Sequence, residues 1–498
     1  MGNRSRGFTP VIRAILALVA LLAAGPSRTA DASAKVLGSL VQIEVQANPL
    51  DLVSPWQGTG VETGYGSGVI LDGRRILTAA HVVADAVGIE VKREGTTKQY
   101  TASVQWIAHE CDLAVLTVED RSFFEGSSSL AIGDTPRLED AVKVYGFPIG
   151  GDSVSVTSGI VSRVEISHYS HSWRQLLLVQ IDAAINRGNS GGPVVSADGR
   201  LAGIAFQLIE SAENVGYMIP AEVVNHFLRD IEDNGRYDGF PTLGVAGQAV
   251  TNDGLRKAYG LGSEQAGFLV TGINHGGSVH GVVQPEDVIL AVDGTAVTED
   301  LTMPHERLGR VQLEYLVQMK QVGEEMELTL LREGEAITRT VRLNNEPALV
   351  PGTYHESRGS YFIVGGLVFQ PLTLDFLLNV PSSDDEDWFP GNLEYYALYK
   401  DRRTPRRNQV IVLSKVLSAA VNRGYGEWTN RIVDSVQGEV PRDMEHLVGI
   451  VEGSKEPLLK IVADSGDVLV LDLARAREEG EGILERHGVP ADRSRDLL

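Results

Sequence analysis

From Val36 to Pro220 the chain is a succession of short aliphatic and β-branched runs broken by glycine turns, and this restricts the fold more than any other feature. Runs such as Gly68-Val69-Ile70-Leu71, Ala114-Val115-Leu116-Thr117-Val118 and Leu201-Ala202-Gly203-Ile204-Ala205-Phe206 have the length of strands, and Asp-Gly and Gly-Gly pairs punctuate the stretch. Helical spacing of apolar residues is scarce before Pro220-Ala221-Glu222-Val223-Val224-Asn225-His226-Phe227-Leu228. Many short strands with little helix point to an all-β pair of barrels closed by one helix.

At 498 residues the chain exceeds the size at which one core usually divides, so further domains are expected. A polar linker, Asn234-Gly235-Arg236-Tyr237-Asp238-Gly239, follows the helix. A second unit then runs to Asn344, with strand candidates Gly267-Phe268-Leu269-Val270, residues 287–292 and residues 326–331, and a helix-like segment from Met303 to Lys320. A third unit from Leu349 echoes the second: residues 430–440 parallel residues 286–297, each a strand ending in a glycine turn. The acidic run Ser382-Ser383-Asp384-Asp385-Glu386-Asp387 reads as a solvated loop, and Arg402-Arg403-Thr404-Pro405-Arg406-Arg407 as an exposed basic one. The expected division is residues 1–32 as a signal peptide, then units at 33–235, 239–347 and 348–498.

Arg4, Arg6 and Arg13 precede an unbroken apolar run from Ala14 to Ala24, and Ala30-Asp31-Ala32 offers the small residues of a cleavage site. Eleven residues are too few to span a bilayer as a helix, so cleavage near Ala32 and no stable membrane span are expected. Cys111 is the single cysteine, which excludes an intramolecular disulfide. An exported protein of this kind suits a periplasm. A net charge of −22 argues against a nucleic-acid partner, because phosphate binding needs a basic surface.

The chemistry concentrates at Gly188-Asn189-Ser190-Gly191-Gly192-Pro193. A serine hydroxyl needs a base to take its proton and a group to orient that base. Ser190 is the candidate nucleophile, and the surrounding glycines let a substrate carbonyl approach the backbone, with the N–H groups of Gly188 and Ser190 as oxyanion hole. His81 ends Thr78-Ala79-Ala80-His81, and Asp112 opens the apolar run Leu113-Ala114-Val115-Leu116, where a carboxylate is costly unless hydrogen-bonded. The order His81, Asp112, Ser190 is that of the chymotrypsin arrangement, with His81 as base then acid and Asp112 as its orienter. Ala184 stands six residues before Ser190, where a preference for basic side chains would need an aspartate; Ala184, Ile185 and Ala205 suggest a small apolar substrate pocket instead.

Together with Gly66-Ser67-Gly68-Val69-Ile70, Tyr145-Gly146-Phe147-Pro148, residues 156–161 and Gly216-Tyr217-Met218-Ile219-Pro220, these motifs resemble the HtrA/Deg family of serine endopeptidases over nearly the whole mature chain. The long third unit and residues 483–490 are similar to the plant-type Deg branch. The resemblance implies a mainly β fold, a chymotrypsin-like double β-barrel followed by two PDZ-like α+β domains. It also implies ATP-independent cleavage of misfolded or unfolded proteins after small or medium aliphatic residues, and a homo-oligomer built on trimers. Where the family commonly has proline, Arg187 precedes Gly188, which frees the backbone beside the oxyanion hole. A peptide-binding chaperone or scaffold with weak or switched-off protease activity is the competing expectation.

The resemblance further assigns Gly267, Phe268 and Leu269 to the loop that binds a peptide's terminal carboxylate, with the strand after it accepting the peptide by β-augmentation. Residues 361–367 are the corresponding segment of the third unit, which otherwise reads as a degenerate structural or assembly module. His168, His171 and Trp173 lie close in sequence but do not make a zinc ligand set, so no metal is expected, and the hydrolysis requires no cofactor.

Overall fold

The computed structural model describes residues 27–148, 151, 153–186, 188–208, 216–345, 348–352, 355, 359–379, 396 and 402–498. The apolar run at residues 14–24, Arg187 and the acidic run at 382–387 lie outside the described residues.

The strand-rich segment folds into two sheets. The first contains β1 (Leu40–Ala47), β2 (Glu62–Leu71), β3 (Arg75–Thr78), β4 (Ala86–Arg93), β5 (Tyr100–Thr101), β6 (Ser103–Ala108) and β7 (Leu113–Thr117), in the order β5-β4-β1-β2-β3-β7-β6. The second, of β8 (Ala141–Gly146), β9 (Ser155–His168), β10 (Gln175–Ile181), β11 (Pro193–Ser196), β12 (Leu201–Leu208) and β13 (Gly216–Pro220), closes into a barrel. Leu40, Ile43, Ile76, Leu77, Leu113 and Leu116 fill the first sheet's core without exposure to solvent, as alternation of inward side chains requires. The expected closing helix is present as Ala221–Asn234. Its Val223, Val224, Phe227 and Ile231 form one buried stripe, and Gly235 ends it in the left-handed conformation. A helix at Ser27–Ser39 runs through the expected cleavage point, and its Val36 is buried in the same core.

The second unit is a sheet of β14 (Val245–Ala249), β15 (Phe268–Ile273), β16 (Val288–Val292), β17 (Thr295–Ala296), β20 (Glu325–Arg332) and β21 (Glu335–Arg342). The helix expected from Met303 to Lys320 is instead a hairpin of β18 (Thr302–His305) and β19 (Gly309–Gln312), followed by a short helix, Glu314–Gln318. Gly309 takes φ of +80°, which breaks a helix and suits a hairpin turn. The apolar spacing that suggested a helix comes from docking: Met303, Leu308, Val311 and Tyr315 are buried in the core of the two preceding sheets. Gln312 also takes the Ile166 N–H of β9 on its Oε1 at 3.0 Å and donates to the Ile166 carbonyl at 3.5 Å.

The third unit is a six-stranded sheet, β22 (Phe362–Val364), β23 (Leu367–Pro371), β24 (Ile411–Val416), β25 (Arg431–Val436), β26 (Leu458–Ala463) and β27 (Val468–Asp472), paired in that order. It is joined to the first sheet's β1–β2 connection. Trp56 packs edge-on against Tyr361 with ring centroids 5.7 Å apart, Gln370 donates to the Leu52 carbonyl, and Lys415 donates to Ser54.

Candidate active site

Two short connections carry the base and its orienter. After β3, Ala79 remains extended and Ala80–Val83 makes one helical turn, which lifts His81 out of the sheet. Asp112 ends a one-turn 3-10 segment, His109–Cys111, with φ of +52°. That left-handed backbone turns its carboxylate towards the neighbouring connection. The Ala80 N–H donates to the Asp112 carbonyl at 3.1 Å, the His81 N–H to Oδ1 at 2.7 Å, and His81 Nδ1 lies 2.6 Å from Oδ2. Asp112 has no solvent exposure. Burial alone would raise its pKa, but the charges of His81 and His171 and its hydrogen bonds outweigh that and hold it below the ordinary value. Burial likewise opposes a charged His81, yet Asp112 wins and lifts the imidazole above 6.5.

Ser190 sits on the loop between β10 and β11, and this loop is clamped to the first sheet. The Ser67 N–H donates to the Ser190 carbonyl at 2.9 Å, Ser67 Oγ donates to the Gly188 carbonyl at 2.7 Å, and the Phe147 N–H donates to Ser67 Oγ. Thr78 Oγ1 donates to the Ser67 carbonyl, so the connection leading to His81 holds the same clamp. Gly191 has φ of +80°, and a Cβ there would meet Thr78 Oγ1 at 2.2 Å, which is why only glycine fits. The structure thus brings the Ser190 loop and the His81–Asp112 pair together at the junction of the two sheets. The Ser190 hydroxyl, however, donates to the Phe206 carbonyl at 3.2 Å, and the Phe206 ring lies 6.3 Å from that of His81. Among the described residues, no backbone carbonyl takes the N–H of Gly188 or Ser190, the two expected oxyanion donors.

Of the expected pocket residues, Ala205 lies directly behind the nucleophile loop, exchanging hydrogen bonds with Gly191 and Gly192 at 2.9 Å. Ile185 is buried against Gly216, and Ala184 is half-buried with its carbonyl held by Thr157 Oγ1. Ser67, Thr78 and Phe206 were not assigned a role from sequence. Ser67 and Thr78 stand in the quoted motifs, but only the fold shows what they hold.

The expected carboxylate loop is corrected by the register. β15 is paired with β14 on one side and β16 on the other, so Phe268 and Leu269 have no edge to offer a peptide. Gly267 is small for packing reasons, since a Cβ would meet Val288 at 2.4 Å. β14 is one of the sheet's two outer strands, and a groove of about 180 Å³ lies between it and the helix Glu314–Gln318, lined by Leu243, Val245, Phe268, Ile289 and Val317. In the third unit the edge of β22 is covered by the chain's own residues: the Ile363 N–H donates to the Asp492 carbonyl and Ser494 N–H to that of Tyr361.

A double-sheet scaffold with an aspartate-held histidine and a glycine-framed serine defines the trypsin-like serine peptidases, here with a PDZ domain appended. Residues 66–204 match the family model of the trypsin-like peptidase domain, and residues 350–496 that of the PDZ domain. The chain is 37% identical to protease Do-like 2, chloroplastic, from Arabidopsis thaliana over 477 residues, covering 95% of this chain and 77% of the relative. It is 35% identical to protease Do-like 4, mitochondrial, of the same plant over 455 residues, covering 91% and 84%. Among solved structures, the HtrA-type protease AlgW with tripeptide aligns with a TM-score of 0.50 at 26% identity, covering 64% of this chain and 97% of that one. The chain belongs to the HtrA/Deg family of Do-like serine endopeptidases.

Proposed function

We propose that this endopeptidase works through His81, Asp112 and Ser190. His81 takes the Ser190 proton as Oγ attacks the scissile carbonyl, then returns it to the leaving amine, and water releases the acyl group by the same route. Asp112 keeps the tautomer in which Nδ1 bears hydrogen and stabilises the imidazolium. The N–H groups of Gly188 and Ser190 receive the developing oxyanion. The observation that carries this reading is the two-point hold of Asp112 on His81, at Nδ1 and at the backbone N–H. Attack requires the Ser190 hydroxyl to leave the Phe206 carbonyl and turn to His81.

The substrates proposed are misfolded or unfolded proteins cut after small or medium aliphatic residues, with Ala184, Ile185 and Ala205 forming the apolar pocket. Peptide C-termini bind the second unit, residues 239–347, at the groove beside β14. The third unit, residues 348–498, serves assembly with its β22 edge already covered. The proposed protein is exported, with residues 1–32 as a leader and the periplasm as destination on the strength of the apolar run. It is a homo-oligomer built on trimers. The two plant relatives above carry mitochondrial and chloroplastic locations in their own names.

Casein hydrolysis by the full chain beside Ser190→Ala tests the mechanism: the wild type turns over and the variant falls to background. Equal, negligible turnover by both across a range of temperatures would favour the second reading, a peptide-binding scaffold with an idle protease fold. The observation on that side is the Ser190 hydroxyl held by Phe206.

A further inference from the structure

Beyond the His81–Asp112 pair, three more imidazoles converge. His109 comes from the turn between β6 and β7, His171 from the connection between β9 and β10, and His355 from the segment entering the third unit. One ligand atom of each lies within 4.8 Å of the other two. His109 Nδ1 and His171 Nε2 face each other at 2.8 Å, and the His355 ring stacks on both with centroids 4.3 Å away.

The surroundings supply carboxylates. Asp112 Oδ1 is 3.9 Å from His171 Nε2, and Asp85 Oδ2 is 3.5 Å from His355 Nδ1. The contact of Asp85 with His355 Nδ1 orients that ring as second-sphere carboxylates do for metal-bound histidines. It leaves His355 Nε2, which is buried without a hydrogen-bond partner, as the ligand atom.

We propose that His109, His171 and His355 bind one divalent transition-metal ion, zinc by ligand type, and thereby tie the third unit to the protease domain beside Asp112. Three imidazoles with a carboxylate or water as fourth ligand are the set borderline cations prefer over magnesium or calcium. Zinc–nitrogen bonds of about 2.0–2.1 Å at tetrahedral angles hold nitrogens about 3.3 Å apart, so uptake parts the His109 and His171 nitrogens from their 2.8 Å contact and rotates the stacked rings until their lone pairs meet.

The test is titration of the metal-free full chain with Co2+, followed by Zn2+. The expected result is one equivalent of Co2+ giving the visible absorption of a four- or five-coordinate site, which Zn2+ then abolishes. His355→Ala and His171→Ala each remove the absorption, and Asp85→Asn weakens Zn2+ binding by about 10- to 100-fold. The thermal midpoints of the metal-free variants show whether each is folded, and His355→Gln serves if His355→Ala is not. A spectrum that stays that of hexaaquo cobalt, or one that survives in folded variants of both His171 and His355, overturns the proposal.

Discussion

At the scale of single residues, Asp112 is where local strain and chemistry coincide. Its left-handed backbone is unusual for a residue other than glycine, and three hydrogen bonds to the Ala80–His81 connection hold it there. The Asp112→Asn variant keeps the shape but favours the wrong tautomer of His81, so casein turnover is expected to fall by about 10³–10⁴. The pH dependence follows from the direction of the His81 shift. The base must be neutral, and its pKa is raised, so turnover falls on the acid side with a midpoint above 6.5 in the wild type. Without the Asp112 charge, burial alone acts on His81 and the midpoint moves to lower pH. A pH–rate profile of residual activity checks both statements, and an unmoved midpoint contradicts them. His81, Asp112 and Ser190 were legible in the sequence because each stands in a short motif in the expected order. Ser67 was not, because its role is a pair of hydrogen bonds to residues 80 and 121 positions away.

At the scale of elements, the nucleophile loop depends on close backbone approach. Gly191→Ala forces a Cβ onto Thr78 Oγ1 and the Ser67 carbonyl at a positive φ, so the loop must leave the first sheet. The expected outcome is loss of turnover with a fall in the thermal midpoint, read by calorimetry beside the casein assay. The β18–β19 hairpin is the second element of consequence. Gln312→Ala deletes its bridge to Ile166 at a cost of about 1 kcal/mol, and hydrogen exchange across residues 302–312 is expected to speed up relative to the wild type. This hairpin was misread as helix because Met303, Leu308, Val311 and Tyr315 have near-helical spacing. The partner that buries them is another domain, which periodicity within one segment cannot reveal.

At the scale of the molecule, the third unit is held through Trp56, which is buried with Tyr361, Ile363, Ile483 and Val489. Trp56→Ala is expected to remove roughly 3–5 kcal/mol from that joint. The measurable consequence is a separate, earlier transition for the third unit in calorimetry and a larger radius of gyration in solution scattering. A single unchanged transition would show that the joint rests elsewhere.

The amino-acid order by itself determined the two-sheet protease scaffold, its closing helix and the three residues proposed for catalysis. Strand length, glycine turns and short motifs are local properties and survive being read along one dimension. Tertiary structure alone decided that β15 is an interior strand and β14 the open one, since edge status depends on which strands pair and not on what either contains. It also decided the histidine cluster. His168 and His171 are neighbours in sequence, but His168 turns to the Trp173 carbonyl while His171 meets His109 and His355. A ligand set gathered from three connections has no sequence spacing to recognise, because chain folding, and not chain order, brings its members within reach of one ion.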